Sequence, residues 1–292
     1  MNISGILYII FSSIAFSLVG IFSKPLLEEN NSLSAILLIR FLLTLLILLP
    51  FVTLKELFSR QALREILSGG LFYFLTTVLY ISSIPYIGVG LATVFCFIFP
   101  IYIFIFGIIK KEIQLTISNI FILLVSFLGM LLMSYEKIQN TLALKGIFLA
   151  LGCGFIYALY IYSNKSEGTV NKLNILYYQL IGSGIYSIFL TVFDPPNFVL
   201  NLNFIINIIA LSVIGTILSL FFLIKAVEKI GPFNASILAL TEPIFAVFFS
   251  YLFINEKISI LQITGLFLII TSCFFTIYLP MRKTEKREIN QS

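Results

Sequence analysis

The chain has 292 residues, 60% of them hydrophobic and 11% charged, with a formal net charge of +5, whereas a soluble domain averages about 45–50% apolar and about 25% charged. So few charges cannot cover a water-facing surface of this size, which excludes an ordinary soluble fold and leaves hydrocarbon as the medium for the excess apolar surface. His and Trp are absent and Asp occurs once, at Asp194, which excludes His-based acid–base chemistry and any Asp-pair metal site.

Hydrocarbon about 30 Å thick is crossed by roughly 20 apolar residues in a helix. Ten such runs follow one another, at 5–23, 33–53, 66–84, 88–109, 113–134, 143–163, 173–193, 204–224, 232–254 and 259–280. The first, with further spans behind it and no basic leader before it, reads as an uncleaved helix rather than a signal peptide. Backbone polar groups cannot go unpaired in lipid, so the runs are helices or barrel strands. Stretches such as "FLLTLLILLPF" lack the residue-by-residue alternation a barrel strand needs. The sequence therefore predicts an all-α integral membrane protein of ten transmembrane helices. Short turns rich in charge, Pro or Gly separate the runs, among them "KELFSRQALRE", "PYIG", "KKE" and "DPPN", and residues 281–292 read as a solvated cytoplasmic tail.

Orientation follows from the basic residues. With both termini in the cytoplasm, the inner side holds Lys55, Arg60, Arg64, Lys110, Lys111, Lys165, Lys172, Lys225, Lys229, Arg282, Lys283, Lys286 and Arg287. The outer side holds Lys24, Lys137, Lys145 and Lys257, and Arg40 lies within a span. This bias fits ten spans of the cytoplasmic membrane with both ends in the cytoplasm. It also reads the positive charge as a topology signal rather than a nucleic-acid surface. Cys96, Cys153 and Cys273 sit far apart in apolar runs, with neither metal-ligand nor redox spacing, and read as small packing residues.

The chain repeats itself. Shifted by 143 residues, "GVGLATVFCFIFPIYIFIF" lies over "GPFNASILALTEPIFAVFF", with Gly88 over Gly231, Ala92 over Ala235 and Pro100 over Pro243. A nearly equal shift lays Gly5 over Gly146 and Leu18 over Leu159. Residues 1–137 and 138–280 thus form two units of five spans. Because five is odd, the second unit enters the membrane inverted relative to the first. Inverted repeats are the architecture on which many secondary transporters place a midplane site and build alternating access.

The stretch "KAVEKIGPFNASILALTEPIFAVFFSYLFINEKISILQITGLFLIITS" at 225–272, its partner "YIGVGLATVFCFIFPIYIFIFGIIKKE" at 86–112 and "IRFLL" at 39–43 resemble the EamA-type transporters of the drug/metabolite transporter superfamily. The likeness spans both units. Phe121 departs from it, standing where the first repeat usually has the glycine that Gly265 keeps in the second; so does Ser272, where a further glycine is common. The resemblance implies ten helices, a central cavity and carriage of amino acids, their derivatives or other small organic solutes.

Glu242 is the acid deepest in a span, about ten residues into helix nine and so roughly 15 Å from its end. A carboxylate there costs a few kcal/mol unless paired, neutral or hydrated. It reads either as a proton-coupling or substrate-amine site or as a structural acid beside Pro243. Arg40 lies within helix two, where it can pair with Glu242, engage a substrate carboxylate or snorkel to the headgroups; a structural pairing role is favoured. Pro100 and Pro243, at equivalent mid-helix positions, read as kinks and hinge candidates. Tyr80, Tyr157 and Tyr160 place hydroxyls within spans, and Asn234 shares a broad face with Glu242. Glu112 and Glu256, beside lysines at span ends, read as interfacial ion pairs or caps. Gly152, Gly154, Gly182 and Gly184 read as sites of close helix approach.

No catalytic residue, metal site or cofactor is indicated, and the chain does not read as an enzyme. No G-x-x-x-x-G-K-[ST] loop is present, so ATP is not the direct energy source. The partners expected are a small-molecule substrate, the lipid bilayer and, if Glu242 couples, protons. The reading is a secondary transporter of amphipathic or zwitterionic metabolites, in the export direction. The alternatives are a non-transporting membrane interaction subunit and, less favoured, a membrane-embedded transferase.

Overall fold

A computed structural model describes residues 2–53, 55, 57–134, 144–165, 171–254 and 259–289. These contain helices and turns and no strand. Glu256, Lys137 and Lys257 lie outside the described residues. The helices are α1 (Ile3–Ser17), α2 (Val19–Glu28), α3 (Leu33–Leu48), α4 (Arg60–Arg64), α5 (Gly70–Cys96), α6 (Phe99–Ile109) and α7 (Ile117–Ser134). Then follow α8 (Leu144–Ser163), α9 (Lys172–Leu190), α10 (Leu202–Ser212), α11 (Ser219–Ala239), α12 (Glu242–Ile254) and α13 (Ile260–Ile289). Among the described residues eight helical stretches are long and apolar enough to cross a membrane, and Ile117–Leu132 is a shorter apolar helix. Large apolar side chains such as Phe51, Ile117 and Phe267 are exposed around the molecule, as lipid contact requires.

The continuous helices differ from the ten expected runs because the breaks fall elsewhere. No helix end falls at "PYIG"; α5 continues through it to Cys96. A proline forfeits one backbone hydrogen bond and bends a helix without necessarily ending it. The stretch Leu202–Ala239 is helical for 38 residues, or about 57 Å at 1.5 Å per residue, too long for one crossing. It is divided at Gly231, whose φ of 78° and ψ of 160° leave the helical region for one that glycine alone adopts without strain. The expected mid-helix kinks at Pro100 and Pro243 are helix starts instead. Two-residue turns at Phe97–Ile98 and Leu240–Thr241 end α5 and α11, and each proline occupies the first turn of the following helix. There an N–H would go unbonded anyway, so proline is at home. At the C-terminus α13 runs past Tyr278 through "MRKTEKRE" to Ile289, so residues 281–289 of the segment expected as a tail are helical. Lys, Arg and Glu are good helix formers.

The two halves are interdigitated. α1 packs on α11 and α12, α5 on α8 and α9, α3 on α9 and α10, α2 on α10, and α7 on α13. At one end of the bundle the loop before α10 is stitched to the α2–α3 turn: Asp194 accepts from the Ser34 N–H at 2.8 Å, and the Asn31 side chain accepts from the Val199 N–H at 2.8 Å.

One contact recurs in both halves. Five residues, Glu65–Gly69, form a π-helical turn leading into α5, and Val213–Leu218 form another between α10 and α11. Such widened turns leave carbonyls poorly used within the helix. α9 covers the first: Ser183 donates to the Gly70 carbonyl at 3.0 Å and Tyr186 to that of Leu67 at 2.9 Å. Any Cβ on Gly182 would collide with the Ile66 carbonyl, so only glycine permits this approach. α3 covers the second through Arg40, which donates to the Gly215 carbonyl at 3.0 Å. Of the four glycines expected at close approaches, Gly154 and Gly182 meet backbone, whereas Gly152 and Gly184 have ordinary contacts at 3.8 and 3.6 Å.

Candidate functional site

The break before α12 places Glu242 in that helix's first turn. The positive end of a helix dipole favours a carboxylate there, which lowers the cost of carrying an acid in a span. Glu242 is half-buried, and among the described residues its carboxylate takes part in no hydrogen bond and no ion pair. Tyr80, Cys96 and Tyr157 lie within electrostatic reach of it. Tyr157 is likewise half-buried, with a hydroxyl that makes no hydrogen bond among the described residues. Its ring is fixed edge-on to Phe99 at 4.8 Å and stacks with Tyr160 at 6.3 Å. The structure thus brings together Glu242, Tyr157 and Tyr80 of the predicted residues. The Tyr80 hydroxyl is shared with Thr93 Oγ1 at 3.0 Å.

The remaining candidates are committed to the fold. Asn234 donates from Nδ2 to the Ile230 carbonyl at 2.8 Å, across the Gly231 kink. Tyr160 is fully buried and donates to Gln179 Oε1 at 2.9 Å. Arg40 is buried at 4% exposure, which overturns the snorkelling alternative. It does not pair with Glu242: its bonds go from Nε to Thr216 Oγ1 at 2.6 Å and from Nη2 to Tyr73 Oη at 2.9 Å and Gly215 O at 3.0 Å. Its partners are instead neutral groups, two of them at the π-helical turn. Pro100 and Pro243 mark the two helix breaks, and Pro100 lines a cavity of about 10 Å³ with Met130 and Leu240, room for a single water at most.

Sequence reading missed a second buried acid. Glu65 falls at the edge of "KELFSRQALRE", a segment read as an inner loop, yet it is 4% exposed and accepts from Gln179 Nε2 at 2.7 Å. Gln179 also donates to Asn164 Oδ1 at 2.9 Å. With the Tyr160 bond this makes a closed polar knot of α4's end, α8 and α9. The ring of Tyr160 lies 5.6 Å from that of Tyr73, the phenol that Arg40 holds. A column of rings, Tyr73, Tyr160, Tyr157 and Phe99, therefore connects the surroundings of Arg40 to those of Glu242. A Gln in α9 spaced to face the acid gave the only available signal, and the sequence alone does not set that register. After α6, Glu112 pairs with Lys165 at 2.7 Å and accepts from the Tyr162 hydroxyl, the ion pair expected of it. These bonds from Lys165 and then Tyr162 hold its carboxyl below the usual carboxylate range.

The sequence profile described as the EamA-like transporter family matches residues 3–135 and again residues 144–278. The chain belongs to this family. Membership makes it a multi-pass membrane protein of a transporter class, with lipid around it and a small molecule as its cargo. As an EamA-like chain it also shares its fold with a solved structure titled "Crystal structure of protein". That likeness has a TM-score of 0.77 over 96% of this chain and 99% of the other, at 15% identity, and is one of fold alone. No curated protein sequence matches it.

Proposed function

We propose that this EamA-like protein is a secondary transporter that exports small amphipathic or zwitterionic metabolites across the cytoplasmic membrane by alternating access. It crosses ten times, both termini lie in the cytoplasm, and residues 1–137 and 138–280 are inverted five-helix repeats. The single observation that carries the site is the Glu242 carboxylate: half-buried, unpaired among the described residues, at the start of α12 and within electrostatic reach of Tyr157. An acid in that state is available to a proton or to a substrate ammonium group, and the tyrosine rings offer apolar faces to the rest of an amphipathic solute. The two helix breaks, one per repeat, support motion at equivalent points. Arg40 keeps α3 on the α10–α11 turn and supplies positive potential to the other end of the ring column, which suits a solute carrying both charges.

The test compares metabolites in medium and cytosol of cells expressing the protein, the Glu242→Gln variant or empty vector. A metabolite that accumulates outside only with the intact protein is the expected result. Accumulation that is unchanged in Glu242→Gln, with the same pH dependence, removes Glu242 from the site.

A further inference from the structure

Cys96 and Cys153, 57 positions apart in sequence, stand with their sulfurs 2.8 Å apart. Both are free and buried, as packing residues are, but α5 and α8 pack along each other and bring the two to one level. The approach is close in the backbone as well: a Cβ on Gly154 would lie 2.6 Å from the Cys96 carbonyl oxygen and 3.1 Å from that of Phe95. A disulfide needs Cα atoms within about 4.4–6.8 Å, a span that two helices reach only where a small residue lets them touch. Cys96 is also the last residue of α5, immediately before the Phe97–Ile98 turn that separates it from α6. It is 7% exposed and Cys153 is fully buried.

We infer that Cys96 and Cys153 are an oxidation site, joined reversibly into a disulfide that ties the α5–α6 break to α8. With an organic hydroperoxide as oxidant the step balances. The Cys96 sulfur attacks a peroxide oxygen, breaking the O–O bond; Cys96 becomes a sulfenic acid and the alkoxide leaves as the alcohol with the thiol proton. The Cys153 sulfur then displaces the sulfenic oxygen, forming the S–S bond, and that oxygen departs as water with the second thiol proton. Two electrons pass from the thiols to the peroxide, and a dithiol reductant reverses the bond by exchange. α6 also packs on α8, so the bond fixes the break against its neighbour. That the bond arrests solute movement rests on the transporter reading; the bond itself does not.

The experiment uses the full chain in lipid nanodiscs with Cys273→Ser, so that the pair supplies the only thiols. After tert-butyl hydroperoxide the protein is unfolded in detergent with a maleimide and weighed intact. The expected species is a monomer lighter by two hydrogens that takes up no maleimide, and two maleimides once a reductant has acted. With Cys153→Ser the sulfenic acid persists on Cys96 and is trapped by dimedone; with Cys96→Ser no trapping occurs. Two alkylatable thiols after oxidant, or added oxygen without loss of hydrogens, overturns the site. Solute flux is then read on the bonded and reduced forms: flux lost and restored supports the arrest, and equal flux overturns the arrest while leaving the bond.

Discussion

Glu242 and Arg40 are two ionisable side chains within apolar helices, and each is tolerated for a different reason. Glu242 sits at the positive end of α12 with its carboxylate unengaged, so its charge is eased by a dipole rather than a partner. Arg40 is held by a hydroxyl, a phenol and a carbonyl, and truncating it strands the buried Tyr73 phenol, whereas the Gly215 carbonyl still accepts from Ser219 and Thr216 still donates to Leu211. A buried polar group left unpaired costs about 1–3 kcal/mol, so Arg40→Met is expected to lower stability by about that much in a detergent-unfolding titration. Glu242→Gln is expected to change it little in the same titration. The surface acid behaves differently again. Glu112 is held below its ordinary range by Lys165 and Tyr162, so its contribution is complete above the ordinary carboxylate range and is lost as pH falls through its depressed value. Glu112→Gln should therefore lower the neutral region of the stability profile slightly and flatten its acid limb, the two proteins converging at acid pH.

At the scale of elements, the helix breaks and the π-helical turns set where chemistry can occur. A proline in a first turn removes no bond the helix was using, so Pro243→Ala is expected to preserve the fold and the thermal midpoint. Solute flux is the readout that separates a hinge role from a merely tolerated residue. Packing at the turns is less forgiving. Gly182 meets the Ile66 carbonyl, whereas Gly184 has only side-chain contacts at 3.6 Å and beyond. Gly182→Ala should cost about 1–3 kcal/mol by overpacking, and Gly184→Ala should cost much less, both measured by unfolding in mixed micelles. The prolines were visible in the sequence as a matched pair. Their placement at helix starts was not, because the same residue kinks a helix or begins one according to what the preceding two residues do. Thr241 and Ile98 carry no signal of a break.

For the whole molecule, the apolar runs and the doubled pattern made the membrane class and the family legible, since hydrocarbon leaves the backbone few options. What stayed hidden depends on contacts between the halves. Glu65 looked like part of a charged inner loop until α9 laid Gln179 across it. Cys96 and Cys153 looked unrelated until α5 and α8 packed along each other. The apolar periodicity fixes which stretches are helices but not how one helix is rotated against another, and both features are matters of rotation. The measurement that bears most directly on the proposed solute path is two-sided labelling at its centre. Glu242→Cys is placed in a chain whose three native cysteines are serine, and a membrane-impermeant maleimide is applied to right-side-out and inside-out vesicles. Labelling from both faces, slowed from both by the exported metabolite, is the predicted result; labelling from one face only, or from neither, would contradict an alternating path through Glu242.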